Sequence, residues 1–210
     1  MTPLRRLPES VTTDRMVLRL WQPGDGPVLV HVVGQSLDHL RPWMPWVAAE
    51  PVSVAEREQW IEGCRADWSS GGDATYGVFL RDDGRAIGGT GLHRRGAVDE
   101  LEIGYWLHPA HTGHGLATEL TAALTTVAFV EAGVARVVVQ HDRANRRSAG
   151  VPRRLGFTET GERSRPVVAP GECGIVVTWT VDQHEWDTVA GRRRGTMGTW
   201  HSSPSSTDPT

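Results

Sequence analysis

Residues 101–118 read Leu-Glu-Ile-Gly-Tyr-Trp-Leu-His-Pro-Ala-His-Thr-Gly-His-Gly-Leu-Ala-Thr, and their texture changes once, at Pro109. Before the proline the residues alternate. Leu101, Ile103, Tyr105 and Leu107 fall on one face, and Glu102, Gly104 and Trp106 on the other, which is the period of a strand. After it, the turn Gly113-x-Gly115-x-Ala117 opens onto a stretch, 114–131, with Leu116, Leu120, Leu124 and Val127 on one helical face. Glycines without Cβ let a ligand come close to the backbone. The first amides of such a helix have no acceptor within it, and its dipole favours negative charge there. Strand, glycine turn and helix together predict a site for a phosphate-bearing ligand.

Working outward, 15–21 reads as a first strand ended by Gln-Pro-Gly-Asp-Gly, and a helix is expected around 27–36. Over 53–68 the helix signal includes Ser53 as N-cap with Glu56 three residues later, a capping box. Strands follow at 75–81, 85–92 and 100–107, the first two joined by Arg-Asp-Asp-Gly-Arg, which makes an antiparallel meander. Beyond the long helix, closed by Gly133, come a β-branched strand at 134–140, a short helix at 145–155, and strands at 157–162 and 174–181. The order is that of one mixed α/β (α+β) domain, 1–190. From Gly191 the chain is Arg-rich and then Ser/Thr/Pro-rich without periodicity, so 191–210 is expected to be a disordered tail.

The 210 residues are 39% apolar and 22% charged, with a formal net charge of −3. That is globular composition, and it has no basic excess that would argue for nucleic acid or an anionic membrane as partner. Cys64 and Cys173 form no CxxC pair, and a reducing cytoplasm is the expected setting. Arg5 and Arg6 are followed by no apolar stretch, which reads against a signal peptide. No apolar run approaches the ~20 residues of a membrane span.

Two other phosphate-binding turns compete with this one. A Walker loop needs Gly-Lys-Ser/Thr, which is absent. A nicotinamide-binding oxidoreductase would use Asp142, at the end of the next strand, for a ribose. However, Thr118 stands where its third small residue should fall, and a meander precedes the turn.

Glu-Ile-Gly-Tyr-Trp-Leu-His-Pro followed by Gly-His-Gly-Leu-Ala-Thr resembles the acyl-CoA-binding core of the GCN5-related N-acetyltransferases (GNAT), most closely their RimJ/RimL-like branch, the ribosomal-protein-alanine acetyltransferases. Thr-Asp-Arg-Met-Val-Leu-Arg, Arg-Pro-Trp-Met-Pro-Trp, Asn145-x-x-Ser148 and Leu155-Gly156-Phe157 are similar to that branch as well, and stand in the same order. The resemblance spans about residues 10–185. It implies a mostly antiparallel sheet of about seven strands, splayed at its centre and flanked by about four helices. It also implies acetyl-CoA as cosubstrate, without a metal. The acyl-pantetheine arm would lie in the splay and pair with the backbone at Trp106, Leu107 and His108. The pyrophosphate would sit on Gly113, His114, Gly115, Leu116, Ala117 and Thr118, with Asn145 and Arg147 nearby. Thr112 departs from the family pattern, which starts the turn with Gln or Arg.

Acetyl transfer needs an unprotonated amine. An α-amine, with a reference pKa near 7.7–8.0, requires little help and a lysine much more. Glu102, a carboxylate amid apolar neighbours, is the candidate base, acting directly or through a water, with Glu100 behind it. The alternative is a solvent-facing or ion-paired glutamate. Many relatives protonate the leaving thiolate with a tyrosine seven residues after the Asn. Here Pro152 stands at that position, which leaves Ser148 as the candidate donor. Arg146, Arg147 and Arg153 either meet the coenzyme 3′-phosphate or form a solvated basic face. His108, His111 and His114 recur every three residues but straddle a proline and a glycine turn, a poor frame for zinc. Trp43 and Trp46, separated by Pro45, either pin a loop to the core or form an acceptor wall. The acceptor is expected to be a small-molecule or peptide amine, and the protein a monomer or homodimer. A catalytically weak acyl-CoA-binding module is the alternative.

Overall fold

The structure is a computed structural model that describes residues 6–193 and 201–203. Nine strands form one sheet among them: β1 (Ser10–Thr12), β2 (Met16–Leu20), β3 (Ala74–Leu80), β4 (Ala86–His93), β5 (Glu100–Leu107), β6 (Arg136–Asp142), β7 (Thr158–Ser164), β8 (Ile175–Asp182) and β9 (His201–Ser203). Six helices accompany them: α1 (Gly26–Gly34), α2 (Leu37–Leu40), α3 (Val54–Ser69), α4 (Leu116–Val127), α5 (Arg146–Leu155) and α6 (Gln183–Arg193). The sheet order is β7-β8-β6-β5-β4-β3-β2-β1-β9, and every neighbouring pair is antiparallel except β5 with β6.

The two faces of the sheet bury different partners. Leu101, Ile103 and Leu107 of β5 pack with Leu116, Leu120 and Leu124 of α4, and Val137, Val139 and Val181 continue that core. On the opposite face Trp21 and Phe79 pack with Leu29, Val32 and Val33 of α1 and Ile61 of α3. Alternation along β5 therefore decides which face carries chemistry: the large apolar residues go under α4, and Glu102, Gly104 and Trp106 face the α1/α3 side. No helix of the described residues is long and apolar enough to cross a membrane.

Most expected elements are present with small shifts. The capping box forms as expected, with Ser53 Oγ accepting from the Glu56 amide and Glu56 Oε2 accepting from the Ser53 amide. The long helix starts at Leu116, not 114, because Gly113 and Gly115 take φ of +82° and +79°, outside the helical region. After Val127 it loosens into a π-turn, and Gly133 ends it at φ +70°. The strand expected at 134–140 lies at 136–142, since Val134 and Ala135 spend their amides on Ala128 O and Asp99 O in turning toward the sheet. Of the expected tail, 191–193 close α6 and 201–203 pair with β1; its other residues lie outside those described.

Asp142, the last residue of β6, is buried and ties two connections together. Its oxygens accept from the amides of Ala144, Cys173 and Gly174 at 2.9–3.0 Å and from Cys173 Sγ at 3.2 Å. Burial alone would push this carboxyl up, but those four donors overcome it and hold it at about 2. Both oxygens are spent inside the fold, so the reading of Asp142 as a ribose-binding acid fails.

The folded carboxyl titrates below the ordinary aspartate value of about 3.9, so its contribution to stability is complete above that pH and is lost as pH falls toward 2. Asp142→Ala, which removes the acceptor of three amides, the buried one of Gly174 among them, is expected to cost about 1–3 kcal/mol in urea unfolding at pH 7, and the gap from wild type should narrow between about pH 4 and 2.

Candidate active site

β5 and β6 pair at three positions only: Glu100 with Arg136, Leu101 with Val137, and Glu102 with Val138. Both strands then continue without pairing to each other. β5 stays registered to β4 as far as Leu107, and β6 to β8 as far as Asp142. The gap between them is the inner part of a cleft of about 1130 Å³ that reaches the glycine turn and α5. His108 N–H donates to Ile87 O, so the backbone groups of His108 and Trp106 face β4. Those of Leu107 and Tyr105 face the gap, because successive residues of a strand alternate their hydrogen-bonding edges. An extended ligand entering the gap meets Leu107 and Tyr105 as its backbone partners, and only Leu107 of the three expected.

The turn at the cleft's wide end is built from the two left-handed glycines, both exposed. Glu119 N–H is bonded back to Gly115 O, which leaves the amides of Leu116, Ala117 and Thr118 as the open first turn of α4. Arg15 steadies this turn. Its Nε and amide, with Thr13 Oγ1, donate to the buried Glu119 carboxylate at 2.6–2.9 Å, and its Nη1 donates to His114 O at 2.9 Å. A buried carboxylate with three donors is well satisfied. The Thr-Asp-Arg segment thus anchors the start of α4 from a distant strand. Across the cleft, Arg146, Arg147, Arg153 and Arg154 line its α5 side, a basic mouth suited to phosphate groups. Burial lowers the His39 pKa, and the charges of Arg147 and His108 lower it further.

Glu102 belongs to the last pair before the strands part, and it is not among the residues that line the cleft. Arg95 Nη1 lies 3.6 Å from its Oε1, and its side chain is 20% exposed. Asn145 Oδ1 accepts from Ser148 N–H and caps α5. Pro152, inside α5, has no N–H for Ser148 O four residues back. The Tyr105 hydroxyl fills that vacancy, 3.3 Å from Ser148 O and 3.2 Å from Ser148 Oγ. Burial pushes this phenol up to about 12, so it stays protonated and able to donate.

Of the residues expected at a site, Trp43, Trp106, Leu107, Gly113, Gly115, Ala117, Thr118, Asn145, Arg147 and Ser148 all line the cleft. The Leu116 side chain is buried in the core and offers the cleft its amide alone. His114 points outward, and His111 lines the cleft in its place. Trp46 is 39% exposed and tilts against Trp106 at 6.1 Å, while Val47, 1% exposed, is what pins the Trp43–Trp46 loop to the core. His108 spends Nδ1 on the Ala110 amide. Among the described residues no three metal-binding side chains converge. The Cys64 thiol is pushed by burial to about 11, and neither it nor Cys173 lines the cleft.

Two contributions went unread in the sequence. Tyr105 had a signal, since a proline four residues after Ser148 must orphan its carbonyl. The pairing of His93 Nδ1 with Asp73 Oδ2 at 2.7 Å had none, for the two stand 20 residues apart in no motif.

Residues 15–158 match the family model described as acetyltransferase (GNAT) domain. The YdaF protein of Bacillus subtilis (strain 168), named provisionally as a ribosomal N-acetyltransferase, is 28% identical over 176 residues, which is 83% of this chain and 94% of that protein. A ribosomal protein uS5-alanine N-acetyltransferase of Escherichia coli (strain K12) is 27% identical over 180 residues, 84% of this chain and 92% of that one. Among solved structures, Mycobacterium smegmatis RimJ in complex with CoA-disulfide superposes with a TM-score of 0.77 at 22% identity, covering 91% of this chain and 96% of that one.

Gly115→Ala forces a side chain into a left-handed residue at a cost of about 1–2 kcal/mol. We expect it to weaken coenzyme A binding about tenfold in titration calorimetry while far-UV circular dichroism stays unchanged. Arg15→Ala should weaken it in the same direction by freeing the turn.

Proposed function

Because the chain belongs to the GNAT acetyltransferase family, we propose that it moves an acetyl group from acetyl-CoA to the N-terminal amine of a protein, a ribosomal protein first among candidates. The observation that carries this reading is the parting of β5 from β6 after Glu102, in line with an amide-lined turn. A thioester arm fits the strand-shaped gap, and a pyrophosphate fits the start of α4. The names of the relatives, ribosomal-protein N-acetyltransferases, support the acceptor class.

The chemistry then divides among residues already described. Leu107 and Tyr105 offer backbone partners to the arm, and the amides from Gly113 to Thr118 offer theirs to the diphosphate. Arg146, Arg147 and Arg153 neutralise the coenzyme's remaining phosphate. Glu102 attracts the acceptor ammonium and takes a proton from it, directly or through a water. An α-amine has a reference pKa near 7.7–8.0, so a partly solvated carboxylate suffices, whereas a lysine side chain would need a stronger base. The lone pair so freed attacks the thioester carbonyl, the C–S bond breaks, and the thiolate leaves toward the Ser148 and Tyr105 hydroxyls. Trp43 and Trp106 line the cleft and Trp46 stands against Trp106, an aromatic wall for the first residues of the acceptor that also favours a cationic amine. Two unbridged cysteines fit a cytoplasmic setting.

Acetyl-CoA is expected to raise the melting temperature, and free thiol should appear only when a peptide with an open N-terminus is added. Glu102→Gln should lower kcat about 10²-fold with the acetyl-CoA KM nearly unchanged. Full turnover in that variant removes Glu102 from the reaction. Thiol release with polyamines or aminoglycosides but not with peptides overturns the acceptor assignment.

A further inference from the structure

We propose that His93, oriented by Asp73, is a second proton acceptor for the incoming amine, working beside Glu102. This rests on the acetyltransferase reading above.

His93 ends β4 and stands directly opposite Glu102 of β5, so the two project from one face as nearest cross-strand neighbours. The imidazole leans over two glycines. A Cβ built on Gly91 would come within 2.7 Å of Nε2, and one on Gly104 within 3.5 Å. Those missing side chains leave a flat floor on which the ring reaches from β4 across to β5. It lies on the face shared by Glu102, Gly104 and Trp106, and Trp106 lines the cleft. His93 therefore lies along that face over Gly104, between Glu102 and Trp106 of β5.

The ring is held as a base needs to be held. Asp73 Oδ2 accepts from Nδ1 at 2.7 Å, and Asp73 Oδ1 accepts from the Arg94 amide at 2.7 Å. With the hydrogen on Nδ1, the Nε2 lone pair is available. Nε2 has no hydrogen-bond partner among the described residues. The His93 side chain is 14% exposed and that of Asp73 29%. A carboxylate that fixes the tautomer and orientation of an imidazole, and leaves its far nitrogen without a partner, is an arrangement suited to taking a proton.

The stoichiometry of the reaction gives a second acceptor something to do. The acceptor nitrogen enters as an ammonium and leaves as an amide with one hydrogen, so it loses two protons. Glu102 takes the first. The amine lone pair forms the C–N bond, the C–S bond breaks, and its electron pair leaves on sulfur. The nitrogen, now cationic, gives its second proton to His93 Nε2. The thiolate gains a proton from the Ser148 hydroxyl, which is resupplied from Tyr105 and solvent. Glu102 and His93 return their protons to solvent, and one proton is released per amide formed.

The test uses the full chain with acetyl-CoA and an N-terminal peptide acceptor, read by thiol release. His93→Gln keeps much of the side chain's bulk and cannot take the proton. We expect kcat to fall about 10²-fold, with the acetyl-CoA KM and the coenzyme-induced rise in melting temperature unchanged. Asp73→Asn should lower kcat in the same direction and less. His93→Ala leaves an imidazole-shaped hollow over Gly91 and Gly104, and added imidazole should restore part of its turnover, which no purely structural role would allow. Turnover of His93→Gln within twofold of wild type overturns the proposal. So does a loss of activity that comes with a lower melting temperature and gives no response to imidazole, for the pair would then serve to hold the end of β4 to the loop before β3. If the wild-type chain releases no thiol with any peptide or small amine, the acetyltransferase reading itself fails, and this inference falls with it.

Discussion

Everything about the site follows from one broken ladder. β5 and β6 share three pairs and then separate, although each remains fully registered to its outer neighbour, β5 to β4 and β6 to β8. Two half-sheets, each internally complete, thus meet along a short seam. Unpaired strand edges are costly when buried and sticky when exposed, so a gap of this kind persists when something else supplies the partners. An extended thioester arm with amide groups of its own is such a partner. On the protein's side, the Tyr105 hydroxyl bridges from β5, beyond the last pair, to the start of α5.

The same economy appears at the turn. Glycines at positive φ set the path of the backbone, but they do not fix it in space. That is done by Arg15 and Glu119, residues 104 apart in the chain, joined by an ion pair at 2.6 Å. The anion-binding amides are therefore preorganised by contacts that never touch the anion. Preorganisation of this sort lowers the cost of ordering a loop at the moment of binding.

Much of this was legible in the sequence because the decisive signals were local. The period-2 stretch at 101–107, the 3.6 period through Leu116, Leu120 and Leu124, and the caps at Ser53 and Asn145 each declare themselves within a few residues. Strands of three residues, β1 and β9, are too short to show a period. Trp43 and Trp46 drew attention away from Val47, the smaller residue that in fact anchors their loop. The contacts of Tyr105 with Ser148 and of His93 with Asp73 join residues 43 and 20 apart. Only folding brings them together, and their types are too common to stand out in sequence. The missing tyrosine at position 152 looked like a loss. In the structure the proline there opens a carbonyl that a tyrosine from another element fills.

β7 lies at one end of the sheet with all seven of its residues exposed, Thr-Glu-Thr-Gly-Glu-Arg-Ser, and its register with β8 slips at Gly161. A strand so charged and so kinked makes a poor template for another chain to extend. The protein keeps one open edge at its centre, where a ligand is wanted, and blunts the edge at its rim, where an aggregate would begin.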